Sequence, residues 1–255
     1  MPTRVLLVHS GGFTSRQWRR LAAELAPTHE VIAPDLIGYG DGPRWPDGAP
    51  FHFREDVAGL IARLDAAPGA GPAHVVGHSY GGLLALQVAL ARPALVRSLA
   101  LYEPVAFGVL DPIEDADALA SLREVGAPYA LGPDGAADDA WLAAFVEWWN
   151  GPGAWAALGD DTRGAFRAVG WKLSQEVASL VADRTDRATY GAIAAPTLLL
   201  GGERSPMTEQ RVLARLAAAL PRAELRRIDA AGHMGPITHA AAVNAAIAAH
   251  VRANP

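Results

Sequence analysis

Short apolar runs alternate with helix-period stretches along most of this chain, and no other feature limits its possible folds so strongly. RVLLVHS (4–10), EVIAPD (30–35), AHVVGHS (73–79), VRSLALYE (96–103), APTLLLGG (195–202) and AELRRID (223–229) are rich in β-branched residues and read as strands. Between them, residues 15–26, 51–67, 80–92, 208–220 and 239–253 carry helical patterns. This rhythm predicts an α/β fold, a mostly parallel sheet of about six strands flanked by helices on both faces. With 255 residues, 51% of them hydrophobic, the chain can bury one large core.

The rhythm breaks once. Residues 104–194 contain no strand pattern and are rich in Ala, Asp and Trp. They read as a helical cap inserted after the strand that ends at Glu103, leaving 1–103 and 195–255 as the core. Within the insertion, Trp141, Phe145, Trp148 and Trp149 recur at i, i+4, i+7 and i+8, one face of a helix that Gly151, Pro152 and Gly153 end. Most of these aromatics are expected to glue the cap to the core, with one or two lining an apolar pocket.

Composition excludes several functions. A net charge of −5 argues against a nucleic-acid partner, which needs a basic face. The chain has no Cys, so disulfides and thiolate metal sites are ruled out. No uninterrupted apolar run reaches membrane-spanning length, and the N-terminal run is too short for a signal peptide. The expectation is a cytoplasmic protein acting on a small molecule, with no membrane partner.

GHSYGG (77–82) follows a predicted strand and opens a predicted helix. A Ser forced into so tight a turn brings the residues two either side of it close together, and Gly77 and Gly81 meet that demand. The turn exposes the Ser79 hydroxyl at the carboxyl end of the sheet, beside a helix N-terminus. A hydroxyl becomes nucleophilic only when a base takes its proton. Of the eight His, His233 lies in a Gly-flanked turn after the last strand and can reach the same edge. His78 and His9 read as structural, and His239 and His250 as helix-surface residues.

At these residues the chain resembles the α/β-hydrolase superfamily, over nearly its whole length. VLLVHSGGFTSRQW (5–18) is similar to the motif of the family's first core strand, PDLIGYGDG (34–42) to its P-D-x-x-G-x-G loop, GHSYGG to its nucleophile elbow, and AAGHMGP (230–236) to its His turn. Ser10 departs from the usual Gly after His9, and the family's N-terminal hairpin is expected to be reduced or absent. The resemblance implies Ser79 as nucleophile, His233 as base, an oxyanion hole from the N–H groups of Gly11 and Tyr80, and no cofactor or metal. The Tyr80 side chain is then left for packing.

The family's commonest position for the acid, in the turn after LLLGG (198–202), holds Ser205. Glu203, Asp229 and Glu103 remain as alternatives, and Glu103 is preferred, because its strand end lies on the same rim. Ser205→Asp alone is expected to change little. The implied function is a serine hydrolase cleaving a small apolar carboxylic ester or lactone through an acyl-enzyme. C–C bond hydrolysis, acyl transfer, or non-catalytic binding of a small molecule stand as alternatives.

Overall fold

The computed structural model describes residues 2–46, 49–66, 71–126 and 138–255. Residues 127–137 of the expected insertion and residue 67 of the expected second helix lie outside them.

Six strands form one sheet: β1 (Thr3–Val8), β2 (His29–Ile32), β3 (Ala73–His78), β4 (Val96–Tyr102), β5 (Thr197–Gly202) and β6 (Ala223–Ile228). Their spatial order is β2-β1-β3-β4-β5-β6, and every neighbouring pair is parallel. Each predicted strand is present, within about three residues at either end, and the buried central strands show as continuous apolar runs.

Alternate side chains of the strands feed two cores. On one face Leu6, Val75, Leu99, Leu101 and Leu199 pack with α2 (Phe53–Asp65), α3 (Tyr80–Ala91) and, across β5, α9 (Met207–Ala219). On the other, Val5, Leu7, Val76, Leu198 and Leu200 meet Trp18, α1 (Arg19–Leu25) and α11 (Ala240–Ala253). Helix α2 buries Phe53, Val57, Leu60 and Leu64, a stripe at helical spacing. In α3, Leu83, Leu84, Leu86 and Val88 are all fully buried. Each such side chain contributes about 1.5–3 kcal/mol through burial.

Between β4 and β5 the chain runs through α4 (Ala116–Gly126), α5 (Asp139–Asn150), α6 (Ala154–Ala157), α7 (Asp160–Ala182) and α8 (Arg187–Tyr190), with no strand among the described residues. Asp138 caps α5, its carboxylate accepting from the Trp141 N–H at 2.8 Å. Gly151, at φ 92°, ends the same helix in a conformation that disfavours side chains. Trp141, Leu142 and Val146 of α5 pack on Phe166, Leu173 and Val177 of α7 to form a third, separate core. After β6, α10 (Gly235–Thr238) precedes α11.

Candidate active site

The chain moves outward from β1 to β2, then returns to lay β3 on the other side of β1. Loops leaving the carboxyl ends of β1 and β3 therefore diverge, and such a switch point opens a crevice. The segments holding Gly11 and Ser79 are those two loops.

Ser79 sits at φ 54°, ψ −116°, outside the regions favoured by residues with side chains. Its N–H continues the ladder to the Tyr102 carbonyl at 2.9 Å, while its carbonyl already accepts from Gly82 N–H at 2.9 Å. The backbone must reverse within that one residue, at a strain of about 1–3 kcal/mol. Glycine makes the reversal possible. A Cβ on Gly77 would lie 2.3 Å from the Gly81 carbonyl oxygen, and one on Gly81 2.4 Å from that of Val8.

His233 lies in the turn between β6 and α10, directly after the strand that delivers it. Its Nε2 is 3.0 Å from Ser79 Oγ, and its Nδ1 is 2.7 Å from Glu103 Oε2. The carboxylate fixes the tautomer: Nδ1–H donates to Glu103, leaving Nε2 to accept from the Ser79 hydroxyl. His78 braces the ring from behind. Burial holds its pKa well below the ordinary imidazole value, so it is neutral, and its Nε2–H donates to the His233 carbonyl at 2.9 Å. Tyr102 OH anchors the same turn by donating to the Gly232 carbonyl at 2.7 Å.

Glu103 is completely buried at the end of β4, with φ 45°. Its Oε1 accepts from Gly202 N–H at 2.6 Å and from the Ser205 hydroxyl. Ser205 thus supplies a donor to the carboxylate from the neighbouring strand rather than a charge of its own. Glu203 is exposed and accepts from Ala230 N–H at 3.0 Å, bracing the turn where Ala230 has φ 56°. Asp229 is not among the groups that meet His233. A further carboxyl, Glu209 on α9, is buried with no partner for either oxygen among the described residues. Burial, aided by the charge of Glu103, raises its pKa well above the usual range and keeps it protonated.

On the β1 side, His9 supports the loop. Its Nδ1–H donates to the Ser10 carbonyl at 2.8 Å, and its Nε2 accepts from Leu36 N–H at 3.0 Å. Burial lowers its pKa, consistent with this neutral form. The Gly12 N–H is committed to Tyr39 OH at 3.1 Å, so Gly11 is the member of the pair left facing the crevice with Tyr80.

The Tyr80 side chain is not merely packed. Its hydroxyl donates to Asp56 Oδ2 at 2.8 Å, within a buried polar cluster that also holds Lys172, Glu176 and Tyr39. Sequence reasoning missed this cluster. One signal was available: Lys172 is the only lysine in the chain, and it stands four residues before Glu176 on one helix.

A cavity of about 440 Å³ opens over Ser79. Three of the four aromatics at helical spacing on α5 line it: Phe145, Trp148 and Trp149. Three aromatics rather than the expected one or two therefore line the pocket, while Trp148 and Trp149 also pack against the main core. A helix face that covers a crevice puts its apolar side chains into the crevice. Trp149 stacks on the His233 ring, with centroids 3.7 Å apart and planes at 17°. Trp141 belongs to the packing core of α5 and α7. His239 and His250 are half-buried rather than on the surface; His239 stands at the N-cap position of α11, and burial lowers the pKa of His250.

The model of the alpha/beta hydrolase family matches residues 5–246. The chain is 28% identical to a haloalkane dehalogenase of Bradyrhizobium diazoefficiens, over 96% of this chain and 85% of that protein. It is 45% identical to lipase LipV of Mycobacterium tuberculosis, over 40% of this chain and only 38% of the lipase. A hydrolase structure from Pseudomonas aeruginosa superimposes with a TM-score of 0.75, covering 98% of this chain and 90% of that one. At 22% identity that likeness speaks to the fold alone. No helix among the described residues is long and apolar enough to cross a membrane.

Proposed function

The chain belongs to the alpha/beta hydrolase family, and within it we propose a serine hydrolase that cleaves a small, apolar carboxylic ester or lactone. The observation that carries this reading is the unbroken chain of hydrogen bonds Glu103–His233–Ser79 at the carboxyl edge of the sheet. Ser79 attacks the carbonyl carbon as its proton passes to His233 Nε2, and Glu103 stabilises the imidazolium. The N–H groups of Gly11 and Tyr80 receive the oxyanion, the second at the positive end of α3. Collapse expels the alcohol, which takes the proton from His233, and an acyl-Ser79 remains. His233 then deprotonates a water as it attacks the acyl carbon, and returns that proton to Ser79 Oγ as the acyl–Ser79 bond breaks and the acid leaves.

Residues 104–194 act as a cap whose aromatic face holds the acyl group, and the core comprises 1–103 and 195–255. The relative from Bradyrhizobium is named for dehalogenation, but dehalogenase branches attack through an Asp at the elbow, and this chain has Ser79. That residue favours acyl chemistry. The substrate is a small molecule in a cytoplasmic setting, and no step requires a cofactor.

The test is a fluorophosphonate probe, with p-nitrophenyl esters of graded chain length as substrates. The wild type is expected to label and to turn over these esters. Ser79→Ala is expected to lose labelling and several orders of magnitude in kcat while keeping its fold. A folded Ser79→Ala protein with near-normal turnover would contradict the proposal.

A further inference from the structure

Lys172 is the only lysine in a chain whose other basic side chains, histidines apart, are all arginines, and it is 2% exposed. Two carboxylates and three aromatic rings enclose its ammonium group. Nζ donates to Asp56 Oδ2 at 2.9 Å and to Glu176 Oε1 at 2.5 Å. It lies 3.9 Å from the centre of the Phe51 ring, 4.9 Å from Tyr39 and 5.4 Å from Tyr80. A compact ammonium with three donors is held here by two carboxylates and the faces of three rings. Burying this charge carries a desolvation cost that is repaid only where the geometry is good.

Two arms leave this centre. Asp56 Oδ2 also accepts from Tyr80 OH at 2.8 Å, and Tyr80 is the residue directly after Ser79. Glu176 Oε2 accepts from Tyr39 OH at 2.8 Å, and Tyr39 OH in turn accepts from Gly12 N–H at 3.1 Å. Each arm thus ends on one of the two loops assigned to the oxyanion hole. Asp56 belongs to core helix α2, while Lys172 and Glu176 belong to α7 of the insertion. Helix α7 also presses on the first loop directly: a Cβ on Gly11 would lie 2.7 Å from Glu176 Oε2 and 3.1 Å from Leu173 Cδ1.

We propose that Lys172 is a positioning residue that holds both peptides of the oxyanion hole at once, so that the hole is complete only when α7 is seated. The inference rests on the serine hydrolase reading above. The ammonium does not touch the reacting atoms. It fixes two carboxylates, they fix two tyrosine hydroxyls, and the hydroxyls fix the loops. Because the cation is supplied from the insertion, cap placement and oxyanion stabilisation become one event.

The experiment compares Lys172→Met, Tyr39→Phe and Tyr80→Phe on an ester that the wild type cleaves, with inhibition by a matched trifluoromethyl ketone that adds to Ser79. Removing one oxyanion donor costs about 10²–10³ in kcat. Lys172→Met is expected to lose about 100-fold in kcat, with KM within about threefold, and to weaken ketone inhibition in proportion to kcat/KM. A residue that only stabilises the fold would lower the melting temperature and leave kcat and ketone affinity intact well below it, and that result overturns the proposal. Should Lys172→Met not fold, the two tyrosine variants still decide. Arms joined at one cation make the loss in Tyr39→Phe/Tyr80→Phe differ from the product of the single losses by at least threefold, whereas multiplicative losses refute the link. A wild type that neither labels with fluorophosphonate nor cleaves esters defeats the underlying reading, and the proposal with it. Normal labelling with unchanged kcat in Lys172→Met defeats the proposal alone.

Discussion

Replacing Glu103 by Gln tests the hydrogen-bond chain at its least ordinary member. The carboxylate has two oxygens with fixed duties. Oε1 faces the Gly202 N–H and the Ser205 hydroxyl, and Oε2 faces His233 Nδ1. A backbone N–H can only donate, so the amide oxygen of the substituted side chain must take the Oε1 position and its NH₂ must face His233. Two donors then meet unless the imidazole changes tautomer. With Nδ1 bare, the proton sits on Nε2 and points at Ser79, where it cannot serve as a base. The neutral amide also gives the imidazolium no countercharge. A wrong-tautomer amide in the acid position of a Ser-His-acid triad costs roughly 10⁴-fold in kcat, which is about 5.5 kcal/mol of barrier. The assay is steady-state hydrolysis of the best p-nitrophenyl ester, with circular dichroism and thermal melting to show that the fold persists. A folded Glu103→Gln protein within tenfold of the wild-type kcat would refute the reasoning. The same geometry revises the expectation for Ser205→Asp. The Ser205 hydroxyl is bonded to Glu103, so a carboxylate there creates a buried pair of like charges, one of which must take a proton. The single substitution is therefore expected to lower activity rather than leave it unchanged, and Glu103→Gln in the same chain should recover part of the loss.

Trp149→Leu removes the ring stacked on His233 and with it an attraction for the imidazolium worth about 0.5–1 kcal/mol; kcat should fall about two- to fivefold on a short acyl ester, and an unchanged kcat would count against the stack. Because Phe145, Trp148, Val146 and Leu173 line the cavity, kcat/KM should rise with acyl length from acetyl to butyryl and collapse for a succinyl ester; a preference for the charged acyl group would contradict the pocket assignment. Glu209 keeps its proton in the native state but ionises in the unfolded chain above its ordinary pKa, so folding binds a proton and its contribution is lost as pH rises above about 4.5. Glu209→Gln should therefore raise the melting temperature more at pH 8 than at pH 5, and an equal shift at both would show that the carboxyl is not held neutral.

How far the site was legible depended on whether its constraints were local. The turn at Ser79 could be read because the chain itself records the backbone demand: Gly77 and Gly81 stand where a Cβ would strike a carbonyl. The approach of Glu103 to His233 could be anticipated because Glu103 follows a strand expected to adjoin the one that leads into Ser79. The helix face of α5 was visible in the spacing of its aromatics, but not the direction in which it pointed. That depends on how the insertion sits over the crevice, which no local pattern encodes. The contacts of Lys172 with Asp56, and of Tyr39 with Glu176, join residues 116 and 137 positions apart. Such pairings arise from packing, and only the presence of a single lysine hinted at them.

Ser205 shows why an isolated position misleads. Judged by the family's usual acid, Ser205 reads as a loss. In the folded protein the carboxylate bonded to His233 is Glu103, one strand nearer Ser79, and the Ser205 hydroxyl donates to it. A carboxylate with no exposure, at the end of a central strand, must have its oxygens satisfied by donors. His233 satisfies one oxygen. The other lies against the end of β5, where the Gly202 N–H and a small hydroxylic residue are the groups within reach. An Asp at 205 would be acceptor-only when ionised and would oppose the acid already there. Ser at 205 and Glu at 103 are therefore one arrangement, and each identity is explained by the other.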